Sequence, residues 1–106
     1  MARYLIRASY TAEGVKGLLK EGGTGRRAAV EKLVGGLGGK LEAFYYALGE
    51  DDAYVIAELP GNVDAAAISL TVAASGAVTL GTVVLLTPEE IDEAAKKSVG
   101  YRPPGA

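Results

Sequence analysis

The sequence predicts an α+β fold: a four-stranded antiparallel sheet, order 4-1-3-2, with two helices on one face in the succession βαββαβ, plus a short C-terminal helix. Three observations predict it. Leu41 to Pro60 (LEAFYYALGEDDAYVIAELP) reads as two strands joined by an acidic turn, and it is the strongest hairpin signal in the chain. One helical pattern lies before this hairpin and one after it, each with a strand-like stretch on its outer side. Right-handed crossovers then fix the strand order and put both helices on the same face.

Arg3 to Tyr10 is the first strand, with Tyr4, Ile6 and Ala8 on one side and Arg3, Leu5, Arg7 and Ser9 on the other. Thr11 is placed to cap a helix, and Glu13 lies near its positive end. Val15, Leu18 and Leu19 give that helix an apolar stripe. Gly22 to Gly25 interrupts it, and it resumes with Ala29, Val30, Leu33, Val34 and Leu37 inward. Gly35-Gly36 or Gly38-Gly39 ends it.

The hairpin holds four of the seven aromatic residues. If Gly49 and Asp52 flank a two-residue turn, Leu48 faces Ala53, Tyr46 faces Val55 and Phe44 faces Ala57. The core face then carries Phe44, Tyr46, Leu48, Ala53, Val55, Ala57 and Leu59. The second face, mixed but still apolar, carries Ala43, Tyr45, Ala47, Tyr54, Ile56 and Glu58.

Pro60-Gly61 turns the chain into a second helix, capped by Asn62 or Asp64 and reaching about Ser75, with Ile68, Thr71, Val72 and Ser75 as its stripe. No charge interrupts Ala65 to Pro88. Gly76, Gly81 and the β-branched second half read as helix then buried strand, Ala77 to Leu86, rather than as a membrane span. Thr87-Pro88-Glu89-Glu90 is a capping box with proline at the first helical position. The short helix that it opens is expected to bury Ile91, Ala94 and Ala95, and 99–106 reads as an extended tail. The whole, 1–106, is one domain in the ferredoxin-like arrangement.

Tyr10-Thr11 with Glu13-Gly14, Gly38-Gly39-Lys40-Leu41, Phe44-Tyr45 with Gly49, Asp52, Glu58-Leu59-Pro60 and Thr87-Pro88-Glu89-Glu90 together resemble the GYD domain family over nearly the whole chain. The resemblance implies the dimeric α/β-barrel type of this fold, a bacterial or archaeal source and no established biochemical function. Asp51 stands where that family commonly has tyrosine before Asp52, and Gly61 where an acid usually follows the proline.

Composition narrows the chemistry. With neither histidine nor cysteine, no Ser-His-Asp or Cys-His nucleophile, common zinc site, histidine-ligated haem or disulfide is possible. No cofactor is expected. Glu50, Asp51 and Asp52 read as solvated turn residues rather than a magnesium site. A net charge of −2 gives no reason to expect nucleic acid or an anionic membrane as partner. The cysteine-free chain, with no apolar leader after Met1, is expected in the cytoplasm.

Two clusters carry ligand hypotheses. Pairing Arg3 with Glu58 puts Leu5 opposite Ile56, Arg7 opposite Tyr54 and Ser9 opposite Asp52, so Arg7, Tyr54 and Tyr45 share the second face. They can stack in an interface, or line a pocket for a small anionic or aromatic molecule where subunits meet. Gly23, Thr24, Gly25, Arg26 and Arg27 open a helix with free N–H groups and two guanidinium forks, a weaker anion-binding candidate against a plain helix break. One chain cannot bury the second face, so a homodimer or higher homo-oligomer is expected. The expected function is a homo-oligomeric small-molecule binding or regulatory domain. The alternatives are a cofactor-independent enzyme with a pocket between sheet and helices, and a structural assembly module.

Overall fold

Strict alternation along β1 (Ala2–Tyr10) and β3 (Ala53–Leu59) organises the molecule, which a computed structural model describes over residues 1–106. Every second residue of β3, from Ala53 to Leu59, is buried, and so are Tyr4, Ile6 and Ala8 of β1. The remaining elements are α1 (Ala12–Glu21), α2 (Gly23–Gly36), β2 (Lys40–Tyr46), α3 (Asn62–Ala74), β4 (Val78–Leu85) and α4 (Pro88–Ala95). The sheet runs β2-β3-β1-β4, all antiparallel, which is the expected order read from its other edge. β1 and β3 pair as the charge and core criteria require: Arg3 with Glu58, Leu5 with Ile56, Arg7 with Tyr54.

The core lies between one face of the sheet and α2 and α3. Tyr4, Ile6, Val55, Ala57 and Leu59 meet Val34, Ala65 and Ile68 there. α2 leans on β2, and α3 leans on β4. Tyr4 is 1 % exposed, and its hydroxyl donates to Asn62 Oδ1 at 2.6 Å, tying the central strand to the first turn of α3. No helix is long and apolar enough to cross a membrane; Ala65 to Pro88 is divided between α3 and β4.

Several expectations are corrected. The hairpin register is displaced by two residues, with Tyr46 opposite Ala53 and Phe44 opposite Val55. The acidic turn is longer than two residues because it serves β1. The Asp52 N–H donates to the Ala8 carbonyl, the Asp52 carboxylate accepts from the Tyr10 N–H, and Asp51 accepts from Ser9 Oγ at 3.1 Å. Asp51 and Asp52 are therefore half-buried structural groups rather than solvated ones. A displacement of two preserves the faces, but it leaves Leu48 wholly exposed in the loop.

The long helix breaks at Gly22 alone, whose φ of 85° suits glycine. Of the α1 stripe only Leu18 is half-buried, while Val15 and Leu19 are exposed; buried Gly14 instead brings α1 against the Ala77 carbonyl. α3 starts after Gly61 with no side-chain cap, since Asn62 is engaged by Tyr4. Its buried stripe is Ala65, Ile68 and half-buried Val72, whereas Thr71 and Ser75 are exposed. Thr87 and Glu90 form the expected capping box, but Ile91, Ala94 and Ala95 are exposed because α4 projects from the body instead of folding onto the sheet.

Candidate functional site

α2 leans on β2 and α3 on β4, and between these two helices the cover over the central strands is incomplete at one end. A cleft of about 230 Å³ occupies that gap. Its floor is Ile6 and Ala8 of β1 with Ala53 and Val55 of β3; Phe44 closes one side, Val78 and Leu80 the other. Ala8 and Ala53 are register partners. Two of the smallest side chains thus lie side by side in the floor. The walls are Ala29, Val30, Leu33 and Val34 of α2 and Ile68 and Val72 of α3.

Of fifteen lining residues, fourteen are hydrophobic and the other is Arg26. Arg26 sits one turn into α2, where the Gly22 break reorients the chain, and is half-buried. With Tyr10 it stands between the cleft and a more polar recess of about 270 Å³, to which Glu13, Glu21 and Ser75 contribute. Tyr46 lies beside the start of α2, outside the cleft lining. Its hydroxyl donates to the Gly23 carbonyl at 3.0 Å, and its ring meets Phe44 edge-on with centroids 5.1 Å apart. Partial burial, and then the neighbouring Tyr10, push the Tyr46 phenol above its ordinary pKa, so it remains a neutral donor.

In the glycine-rich segment the side-chain surroundings differ from residue to residue, the Tyr46 contact being to the Gly23 carbonyl. Gly23 is engaged by Tyr46, Thr24 is exposed, and Gly25 lies beside Glu21. The two arginines diverge, since Arg27 faces outward with Glu31 at 3.8 Å while Arg26 lines the cleft.

On the opposite face of the sheet, Tyr45, Tyr54 and Arg7 form one row across β2, β3 and β1. The Arg7 guanidinium lies against Gly81 of β4 and 3.9 Å from Asp51. Tyr45 is 72 % exposed and Tyr54 37 %. The adjacent row, Ala43, Ile56, Leu5 and Val83, is apolar. Beyond it, Arg3 is held by Glu42 at 2.8 Å and Glu58 at 3.0 Å, and its guanidinium holds the Glu42 carboxyl below the usual carboxylate range. Glu42 reaches Arg3 from a β-bulge between Leu41 and Ala43, which periodicity does not reveal.

Sequence reasoning located the open-face row, named a pocket between sheet and helices without its lining, and placed Arg26 in an anion-binding candidate, but it gave Ala8 and Ala53 no place in a cleft. The available signal was a lone arginine at the end of an apolar helical pattern together with alanines on both central strands.

A family model described as GYD domain matches residues 4–95. No curated protein and no solved structure matches the chain.

Proposed function

The chain belongs to the GYD domain family, and from its geometry we propose that it is a homo-oligomeric domain binding a small, largely apolar molecule in the cleft between α2 and α3. One observation carries the reading: about 230 Å³ of apolar space lies between α2, α3 and the central strands. An unfilled apolar void costs on the order of 20 cal/mol per Å³. Even with part of this space open to solvent, the cost is several kcal/mol against a typical net stability of about 5–15 kcal/mol. An apolar occupant recovers it. Tyr10 and Arg26 are the only lining residues with an ionisable side chain, which favours binding over turnover.

The test is native mass spectrometry of untagged protein for a co-purifying molecule, followed by titration of benzene and toluene watched at the Ile6, Val55 and Val72 methyl resonances. Saturable shifts at these methyls support the reading. Shifts confined to other surfaces, with nothing co-purifying, overturn it.

The oligomer is proposed through the open sheet face, where Leu5, Ala43, Ile56 and Val83 form an apolar row that no helix of the chain covers. Light scattering at micromolar concentration is expected to show no dominant monomer, and a clean 10.8 kDa species would refute it. A second reading places a small anionic or aromatic ligand at Arg7, Tyr45 and Tyr54 where subunits meet, favoured by their shared row. Arg7→Leu is then expected to abolish that binding and leave assembly intact, whereas a purely structural role predicts altered assembly.

A further inference from the structure

We infer that the cleft is selective for a small apolar monoanion, with a ring or short chain over Ala8 and Ala53 and a carboxylate held by Arg26. The inference rests on the cleft being the ligand site and adds the charge of the ligand's head.

Arg26 is the only charged residue lining the cleft, and it takes part in none of the chain's five ion pairs. Its guanidinium is permanently charged and presents a planar fork that matches a carboxylate, and the residue as a whole is half-buried beside apolar surface. No carboxylate lies within 4 Å of the guanidinium, although Glu13 and Glu21 line the recess that Arg26 borders. The other polar groups nearby do not compete. The Tyr46 hydroxyl is committed to the Gly23 carbonyl, Glu13 faces Lys16 at 3.6 Å, and Glu21 lines only the polar recess. Glu21 in that recess would favour a cationic head, which an amine probe tests directly.

Size follows from volume. A cavity of about 150 Å³ takes benzene, so about 230 Å³ holds one ring with a short arm, or a chain of similar bulk. The polar recess beyond Arg26 and Tyr10 gives the head a route to water. A ligand that is apolar at one end and ionised at the other satisfies both halves at once.

The experiment compares phenylacetate, 2-phenylethanol and 2-phenylethylamine at neutral pH, titrated calorimetrically into the wild-type oligomer and Arg26→Gln. Phenylacetate is expected to bind about tenfold or more tightly than the alcohol, the worth of one charge-assisted hydrogen bond. The amine is expected to be weakest. Arg26→Gln should remove the preference for the acid and leave the alcohol unchanged. Equal binding of acid and alcohol, an unaffected acid in Arg26→Gln, or a preference for the amine overturns the inference while leaving the cleft as a binding site. Failure of all three probes overturns the cleft reading and the inference with it. If Arg26→Gln loses its native circular dichroism, Arg26→Lys serves instead, expected to weaken phenylacetate several-fold by losing the fork while keeping the charge. Unchanged binding of the acid in Arg26→Lys then overturns the bidentate role.

Discussion

Filling the cleft from below should stabilise the protein and abolish binding, and the sign of the stability change is the decisive part. Ala53 is 1 % exposed and forms the floor with Ala8. Ala53→Ile adds three carbons, worth about 0.8 kcal/mol each when buried. Ordering the longer side chain costs about 0.5–1 kcal/mol, so the net gain is roughly 1.5–2 kcal/mol. Isoleucine also suits a strand. For a domain of this size, 1 kcal/mol moves Tm by about 4–8 °C, so a rise of roughly 6–16 °C is expected. The assay is urea and thermal unfolding at fixed protein concentration, on protein unfolded and refolded to strip any bound molecule that would stabilise the wild type alone. If the space over Ala53 were already packed, the same substitution would overfill it and cost about 1–3 kcal/mol. A destabilised Ala53→Ile therefore refutes the cleft. A stabilised variant that still binds phenylacetate refutes its role as the binding site.

Other tests probe the scaffold. Tyr4→Phe is expected to cost about 1 kcal/mol, since Asn62 can turn to water, whereas Asn62→Ala strands the Tyr4 hydroxyl and costs about 1–3 kcal/mol; urea unfolding of both variants measures that asymmetry. Gly39→Ala would drive its Cβ into the Glu58 carbonyl and to 3.0 Å from a Val34 methyl; a loss of at least about 1 kcal/mol by urea unfolding is expected because backbone cannot yield. Arg3 lowers the Glu42 pKa, so this pair's contribution is present above the unfolded carboxyl's value of 4.5 and is lost as pH falls through the folded one. Arg3→Met is expected to flatten the acid limb of stability below that pH, and an unchanged limb would refute the assignment.

The sheet was legible in the sequence because each of its determinants is local or pairwise. Period-two alternation at Tyr4, Ile6 and Ala8 and at Ala53 to Leu59 selects the core faces. The opposite charges of Arg3 and Glu58 select the register between the same two strands. The capping box at Thr87 was equally readable, since its partners lie three residues apart. The hairpin loop was not, because its length depends on Asp52 reaching Ala8 and Tyr10, contacts 42 or more positions away along the chain. Helical periodicity overestimated what α1 and α4 bury. A stripe such as Val15, Leu18 and Leu19 reports that a helix can pack, not that anything stands opposite it. The cleft was invisible for a related reason: composition names the residues around a space but not the space.

Sheet and helix dimensions explain why a space should form here. β2 and β4 are three strand spacings apart, about 14 Å at about 4.8 Å each. Helices resting on these edges have axes separated by about the same distance, whereas a packed helix pair approaches to about 8–10 Å. The difference, about 4–6 Å, is roughly one layer of atoms. Large side chains on the central strands would fill that slot, as Tyr4 and Leu59 do at the other end of the sheet, where both are buried. At the end near α2's first turn the floor is Ala8 beside Ala53, buried as well, and the cleft lies above these short side chains. The same chain therefore packs one end of the interlayer space and leaves the other unfilled, with its one unpaired lining cation at the unfilled end. A uniform packing defect would not divide the layer in this way; the division suits the proposed binding site, in which a rigid packed end supports the cleft.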